Sequence, residues 1–453
     1  MAKIVIVGAG GVIFTQNFIR DILLDDELRK SRVVLMDINA ERLGHAGKMA
    51  EIMSGQFGCP FRPELTTDLR KAVRGADYVL TVFRVGTLEH QRLEYEIPAG
   101  YGVRQVVADT LGPGGVFRGL RTLKALFEVL DMMEQECPGA YLLNYVNPMS
   151  MNTIALSRRA KTVKVIGLCH SVQGTASQMA AWLKVSPEKL HFYAAGVNHQ
   201  AFLLKLESEG RDLYPELRKC MDNPEFYNRD KVRFEIMRHF GYFPTESSGH
   251  GSEYNPYFRK RADLLEKFCS VTAPPDPADR CCVHLMSAGV SGASLTVCAR
   301  LQERNEEKLR DLLSGKEKVE ALPSMEYGVR IIGAMEKNQP FSANLNVMNN
   351  GLIPTLPPGA CVEVPCLVGG GGIFPGRIDD YPEQLAALNR GMINVQILGA
   401  QGALNHSRRD IFHAIAADPL TAAVLGLDEI QKMTDDLFDA LASEIDPAFS
   451  CPQ

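Results

Sequence analysis

Lys3-Ile4-Val5-Ile6-Val7-Gly8-Ala9-Gly10-Gly11 is the stretch that decides the fold. Its first five residues form a β-rich run of strand length that breaks into a glycine cluster. Residues 14–24 follow with apolar side chains at helical spacing. A strand, a tight glycine turn and a helix start are what a dinucleotide pyrophosphate needs. Glycines let the backbone approach the phosphates, and the helix N-terminus offers free N–H groups. The fingerprint is incomplete, because Ile13 stands where the third glycine of G-x-G-x-x-G belongs. Asp37 closes the next β-rich run, residues 32–36, where a carboxylate can bind the adenosine ribose hydroxyls. Together these features favour a dinucleotide over a ligand-free turn, and NAD over NADP. Gly8, Gly10, Gly11 and Asp37 are the candidate cofactor residues.

Outward from this point, residues 78–83, 140–146 and 163–168 are further candidate strands, with helical patterns at 120–136 and 175–183. Strand and helix in alternation predict a parallel sheet covered on both faces. Residues 191–195 suit a last strand leading out of this unit. Beyond Gly196 the alternation dissolves. Residues 231–240, 305–313 and most of 384–444 have helical patterns, 352–367 suits a short sheet or hairpin, and the Pro-rich 273–277 suits a loop. The expected class is α/β: a Rossmann-like doubly wound sheet over residues 1–195, then a mixed, largely helical α+β domain over 196–453. A chain of 453 residues is too long for one ordinary core and suits two domains.

Composition narrows the function. A hydrophobic fraction of 45% with 23% charged residues is that of a soluble globular chain. The net charge of −5 gives no basic footprint for nucleic acid. No apolar run approaches the roughly 18 residues of a membrane span. The apolar N-terminus ends in glycines rather than a small-residue cleavage site, so the cytoplasm is the expected compartment. Eleven cysteines, an odd number without a C-x-x-C pair, are expected as reduced thiols.

Three motifs stand out, and those of Asn147, Cys169 and His199 follow predicted strands, where doubly wound sheets bind ligands. Asp109-Thr110-Leu111-Gly112-Pro113-Gly114-Gly115 is dense in residues that fix a backbone shape, and it precedes a helix expected from near Val116 with Arg118 and Arg121. A ligand border is favoured over a structural turn capped by Asp109. Asn147, before Pro148, is either a sugar-hydroxyl partner or a turn asparagine. Cys169 and His199 could hold a divalent transition metal. On spacing alone, an inert buried thiol and a satisfied core histidine are the stronger readings.

Taken in order, Asp109–Gly115, Asn144-Tyr145-Val146-Asn147-Pro148, Cys169-His170-Ser171-Val172-Gln173-Gly174 and Gly196-Val197-Asn198-His199 resemble glycoside hydrolase family 4. Gly241-Tyr242-Phe243-Pro244-Thr245-Glu246-Ser247-Ser248, followed by Glu253-Tyr254, narrows the resemblance to the α-galactosidase (melibiase) branch. The resemblance runs through most of the chain; residues 281–301 match less well.

It implies NAD+ and a divalent cation, Mn2+ in first place, as cofactors. Cys169 and His199 match the metal ligands, and Gly8, Gly10 and Asp37 match the NAD site. Asn147 matches a substrate-binding asparagine, and Asp109 is placed beside it. Tyr254 resembles a catalytic tyrosine of phospho-glycosidase relatives. Those relatives carry Asp or Asn after the metal cysteine; His170 here argues against a 6-phosphorylated substrate and is the candidate proton donor. The route implied is oxidation at C3, deprotonation at C2, loss of the aglycone, water addition and re-reduction. The expected partner is a small α-glycoside, and a homodimer or homotetramer is expected. Within the family, an α-galacturonidase or α-glucosidase stays open, with Arg118, Arg259 or Arg261 as partners for a uronic acid. From other classes, a hydroxy-acid dehydrogenase and a non-catalytic sugar- or NAD-binding protein stay open. Glu246, Ser247 and His250 form a polar loop that either lines the pocket or is solvated.

Overall fold

The computed structural model describes residues 1–272, 276 and 278–450 of the chain. The Pro-rich loop expected at 273–277 therefore lies outside the described residues, Asp276 excepted.

Six strands of the first half are β1 (Lys3–Val7), β2 (Arg32–Met36), β3 (Glu64–Thr66), β4 (Tyr78–Thr81), β5 (Tyr141–Asn144) and β6 (Lys164–Gly167). They pair in parallel in the order β3-β2-β1-β4-β5-β6. This is the dinucleotide-binding order, with its switch point between β1 and β4. All five residues of β1 are buried, as a strand covered on both faces requires.

The remaining strands are β7 (Leu190–Val197), β8 (Gln200–Ser208), β9 (Arg211–Asp212), β10 (Phe341–Met348), β11 (Cys361–Gly369) and β12 (Gly372–Pro375). They continue the same sheet antiparallel, in the order β6-β10-β11-β7-β8-β9, with β12 on β11. Two joins are a single residue pair wide: Gly167 to Asn346, and Gly196 to Glu363. The sheet is therefore continuous across residue 195. One apolar core runs through it, from Ile4 and Ile6 to Val362 and Ile393.

Expected helices are longer than their patterns showed. The segment expected at 120–136 is helical over Gly112–Glu136, so the glycine loop forms its first turn rather than preceding it. Pro113 is acceptable there because N–H groups of a first turn have no helical partner. Gly115 is needed for close packing: a Cβ would lie 2.8 Å from the Thr110 carbonyl carbon. Likewise 305–313 belongs to Ala293–Leu313, and the C-terminal region is four helices between Glu383 and Ala440. Residues 352–360 are turns, and β11 pairs with β10, a strand not expected above although its residues alternate apolar and polar from Phe341 to Val347. No helix among the described residues is long and apolar enough to cross a membrane. The ten described cysteines are free thiols.

Candidate active site

In a parallel sheet all carboxyl ends lie on one edge, and that edge gathers the motifs. The glycine turn after β1 opens onto a cavity of about 590 Å³, lined by Gly10, Gly11, Asn39, Arg42 and His45. Residues of the helix Ala293–Leu313, among them Gln302 and Asn305, form its other wall. The helix Val12–Leu24 starts at Gly11 with no side-chain cap, leaving its first N–H groups for an anion. Asp37 ties the turn to β2: its Oδ2 accepts from Gly10 N at 2.8 Å, and its Oδ1 from Asn39 N at 2.9 Å. A helix start and a cavity of this size fit a dinucleotide.

Farther along the edge, Cys169 and His170 follow β6, and the hairpin of β7 and β8 turns on Asn198 and His199. The two single-pair joins bracket this point, because Gly167 and Gly196 lie two and three residues before Cys169 and His199. Cys169 Sγ and His199 Nε2 are 3.3 Å apart. Burial pushes the Cys169 thiol up, so without a cation it holds its proton. The Tyr327 hydroxyl accepts from Cys169 N and donates to either Cys169 O or Asn344 O, fixing this loop.

The other face of His199 is equally crowded. Its Nδ1 is 2.9 Å from Thr110 Oγ1 and 3.3 Å from the Tyr254 hydroxyl. Thr110 Oγ1 in turn donates to Asp109 Oδ1 at 2.8 Å, and Asn147 Nδ2 donates to Asp109 Oδ2 at 3.0 Å. His250, on the helix Ser248–Tyr254, brings its Nε2 to 3.7 Å from Asp109 Oδ1. Asp109, His199 and His250 are all buried, with one ligand atom of each within 4.8 Å of the others. Cys169 lies outside that trio; its Sγ and His199 Nε2 form a soft donor pair that suits a divalent transition metal.

Ala108, His199 and Glu246 have positive φ of 53°, 65° and 75°. Such strain in non-glycine residues is held only where the surroundings over-determine it, and it collects at functional sites.

The electrostatics separate the acids. Burial would raise Asp109, but Arg118, His250 and His199 outweigh it and hold the carboxyl at about 2. Glu363, wholly buried beside Cys169, is pushed up to about 8, chiefly by burial. Asn198 and Asn346 lie beside its carboxyl and oppose that rise, although neither meets it in ordinary hydrogen-bond geometry. Burial and the charges of Asp109 and Glu253 raise Tyr254 well above an ordinary phenol. His170 stands at the site's open side, its side chain 54% exposed and its Nδ1 3.6 Å from Glu326 Oε1.

The structure thus brings Asp109, Asn147, Cys169, His199 and Tyr254 into one network, with His170 at its rim. Arg259 does not reach it: its guanidinium is buried and donates to the carbonyls of Arg104 and Gly289 and to Ser252 and Ser291. Arg261 is paired with Asp263 at the surface. Of the three arginines considered for a uronic acid, Arg118 alone acts on the site, through Asp109. The polar loop of Glu246, Ser247 and His250 is part of the site rather than solvated. Thr110, Glu363, Asn346 and Tyr327 were not foreseen; Glu363 and Asn346 lie on strands whose pairing brings them here from far along the chain.

Comparison with known proteins gives the family. "Family 4 glycosyl hydrolase" matches residues 3–185, and "Family 4 glycosyl hydrolase C-terminal domain" matches residues 194–421. An α-galactosidase of Bacillus subtilis (strain 168) is 39% identical, covering 97% of this chain and 98% of that protein. An α-galactosidase of Rhizobium meliloti (strain 1021) is 33% identical, covering 97% and 88%. Among solved structures, a 6-phospho-α-glucosidase from gut microorganisms, in complex with NAD and Mn2+, superposes with a TM-score of 0.79. Its identity is 21%, over 98% of this chain and 99% of that one. The matches span both halves of the chain: it belongs to glycosyl hydrolase family 4 and is a glycoside hydrolase.

Proposed function

We propose that this chain is an NAD+- and Mn2+-dependent α-galactosidase, in which residues 1–195 bind the cofactor and residues 196–453 bind substrate and form a homodimer or homotetramer. The observation that carries the reading is the 3.3 Å approach of Cys169 Sγ to His199 Nε2, on the sheet edge that also opens the glycine-turn cavity. A simple hydroxy-acid dehydrogenase has no need of a thiolate–imidazole pair there. The α-galactosidase names of the relatives at 39% and 33% identity support the choice of sugar.

Gly8, Gly10 and Gly11 cradle the pyrophosphate, and Asp37 holds the turn in shape for the ribose. Cys169 and His199 hold the cation. When bound, NAD+ supplies reversible hydride acceptance at C3 of the sugar, and the cation supplies Lewis acidity for the charge that follows deprotonation. Asn147, oriented by Asp109, receives the sugar hydroxyls.

Tyr254 removes the C2 proton. With His199 Nε2 facing Cys169, the Nδ1 position carries the imidazole proton and can donate to the Tyr254 oxygen 3.3 Å away. That bond favours the phenolate, against the burial that raises the phenol. His170, more than half exposed beside the network, protonates the departing aglycone oxygen. Glu326, pushed up to about 7 by burial and by Asp21, lies beside His170 as a proton partner in the neutral range.

Hydrolysis of p-nitrophenyl α-galactoside, with Mn2+, NAD+ and a thiol reductant each omitted in turn, tests the reading. Activity that requires both metal and NAD+, without net NADH, is expected. Net NADH formation would make the chain a dehydrogenase. Hydrolysis of galacturonides or glucosides but not galactosides would correct the substrate. Light scattering on the purified protein checks the oligomer, and fractionation of the producing cells checks the expected cytoplasmic location.

A further inference from the structure

Glu246 takes no part in the steps above, yet it is a charged group at their edge. Its Oε2 lies 3.3 Å from His250 Nδ1, while His250 Nε2 faces Asp109 Oδ1 at 3.7 Å. The His250 ring packs edge-on against His199, centroids 4.9 Å apart, and its centroid is 5.9 Å from that of Tyr254. Glu246 therefore borders the network that holds Asn147 and Tyr254. Its φ of 75° is kept without a glycine, and its N–H donates to Thr175 Oγ1 at 3.1 Å. Burial would raise the carboxyl, but His250, His199 and Arg233 outweigh it, so Glu246 is an anion at neutral pH. That charge acts in turn on Cys169, His170 and Tyr254. The side chains of Glu246 and His170 are 24% and 54% exposed, so both are reachable from solvent.

We propose that Glu246 is a specificity-determining residue that selects a neutral sugar: its carboxylate accepts from hydroxyls of the bound ring and repels a carboxylate or phosphate at C6. The inference rests on the galactosidase reading above. A pyranose that presents C2 to Tyr254 and its aglycone oxygen to His170 lies in the field of Glu246, because that charge acts on both residues. Arg233, the arginine that acts on Glu246, already donates to both oxygens of Asp230 and to Gln178. Arg118 is set against Asp109. An anionic sugar would thus meet the Glu246 charge without a free cation to offset it. Repulsion between like charges about 6 Å apart at such a site is worth roughly a hundredfold in affinity.

Inhibition of p-nitrophenyl α-galactoside hydrolysis by galactose, galacturonate and galacturonate methyl ester tests the inference, because the ester has the shape of the acid without its charge. For the wild type, the ester should inhibit about a hundredfold more strongly than the acid, with galactose close to the ester. In Glu246→Gln, which keeps an oxygen for His250 and the same backbone, that gap should shrink at least about tenfold. Galactose 6-phosphate should gain as galacturonate does. Glu246→Asp should retain the gap, and Glu246→Ala gives a second neutral replacement in case the glutamine variant does not fold. Thermal melting and calorimetric NAD+ binding identify the folded variants. Equal inhibition by acid and ester in the wild type would overturn the inference, as would an unchanged gap in a folded neutral variant; either leaves the galactosidase reading standing. A wild type that does not hydrolyse the galactoside would overturn both.

Discussion

Replacing Gly8 by Ala should damage both the stability of the fold and its affinity for NAD+, whereas the same change at Gly11 should not cost the fold. Gly8 has φ of +92°, and a Cβ built on it would lie 2.6 Å from Phe83 Cβ, 2.7 Å from Phe83 N and 2.8 Å from Phe83 Cα. Two of those atoms are backbone, so no side-chain rotation relieves the contact. The turn cannot retreat easily, because Gly8 N and Ala9 N both donate to Met36 O, at 2.9 and 3.0 Å. A left-handed conformation costs an alanine about 1–2 kcal/mol. Crowding against a packed wall adds about 1–3 kcal/mol. The sum is a loss of about 2–5 kcal/mol. At Gly11 φ is −75°, and a Cβ would meet only Gly8 O at 3.5 Å. Alanine there gives up only the preference for glycine at a helix start, about 1 kcal/mol or less. Urea unfolding followed by circular dichroism measures both variants, and calorimetric titration measures NAD+ binding. Equal destabilisation of the two, or a Gly8→Ala protein as stable as the wild type, would refute the argument from turn geometry.

Arg121 and Glu94 are each 1% exposed and joined by two hydrogen bonds of 2.7 and 2.9 Å. Arg121→Met should cost about 3–5 kcal/mol in chemical denaturation by stranding a buried carboxylate, and Glu94→Leu added to it should restore most of the loss. Glu363 makes the metal-free protein pH-sensitive. Its folded value of about 8 lies above the ordinary 4.5, so between these the folded state keeps a proton that the unfolded chain has lost. Stability therefore falls as pH rises through that window, by up to about 1.4 kcal/mol per pH unit, and Glu363→Gln should flatten the slope of unfolding free energy against pH.

The first half of the fold was legible because its signals are local. β1 and β2 are apolar runs covered on both faces and bounded by turn residues, and the structure keeps their limits. Helix starts were less legible. Glycine and proline at 112–115 suggest a loop, yet close packing on Thr110 makes them the first turn of a helix. In the antiparallel extension, the alternation of Phe341 to Val347 is itself a strand signal, but nothing local tells that β10 pairs with β11 and, at Asn346, with β6. The same non-locality hid Glu363 and Asn346. Cys169 and His199 were visible as residues, but spacing along a chain cannot show a 3.3 Å contact. His250 was visible only as one polar residue in a loop; only the folded chain shows Glu246 and Ser247 at one of its ring nitrogens and Asp109 near the other.

The central claim is that glycoside cleavage passes through removal and return of the C2 proton, with Tyr254 as the base. Hydrolysis of an α-galactoside in D2O, with Mn2+ and NAD+ present, tests it by nuclear magnetic resonance of the released sugar. The account predicts deuterium at C2 of the galactose formed by the wild type, and loss of both turnover and labelling in Tyr254→Phe. Full hydrolysis with only hydrogen at C2 would contradict it.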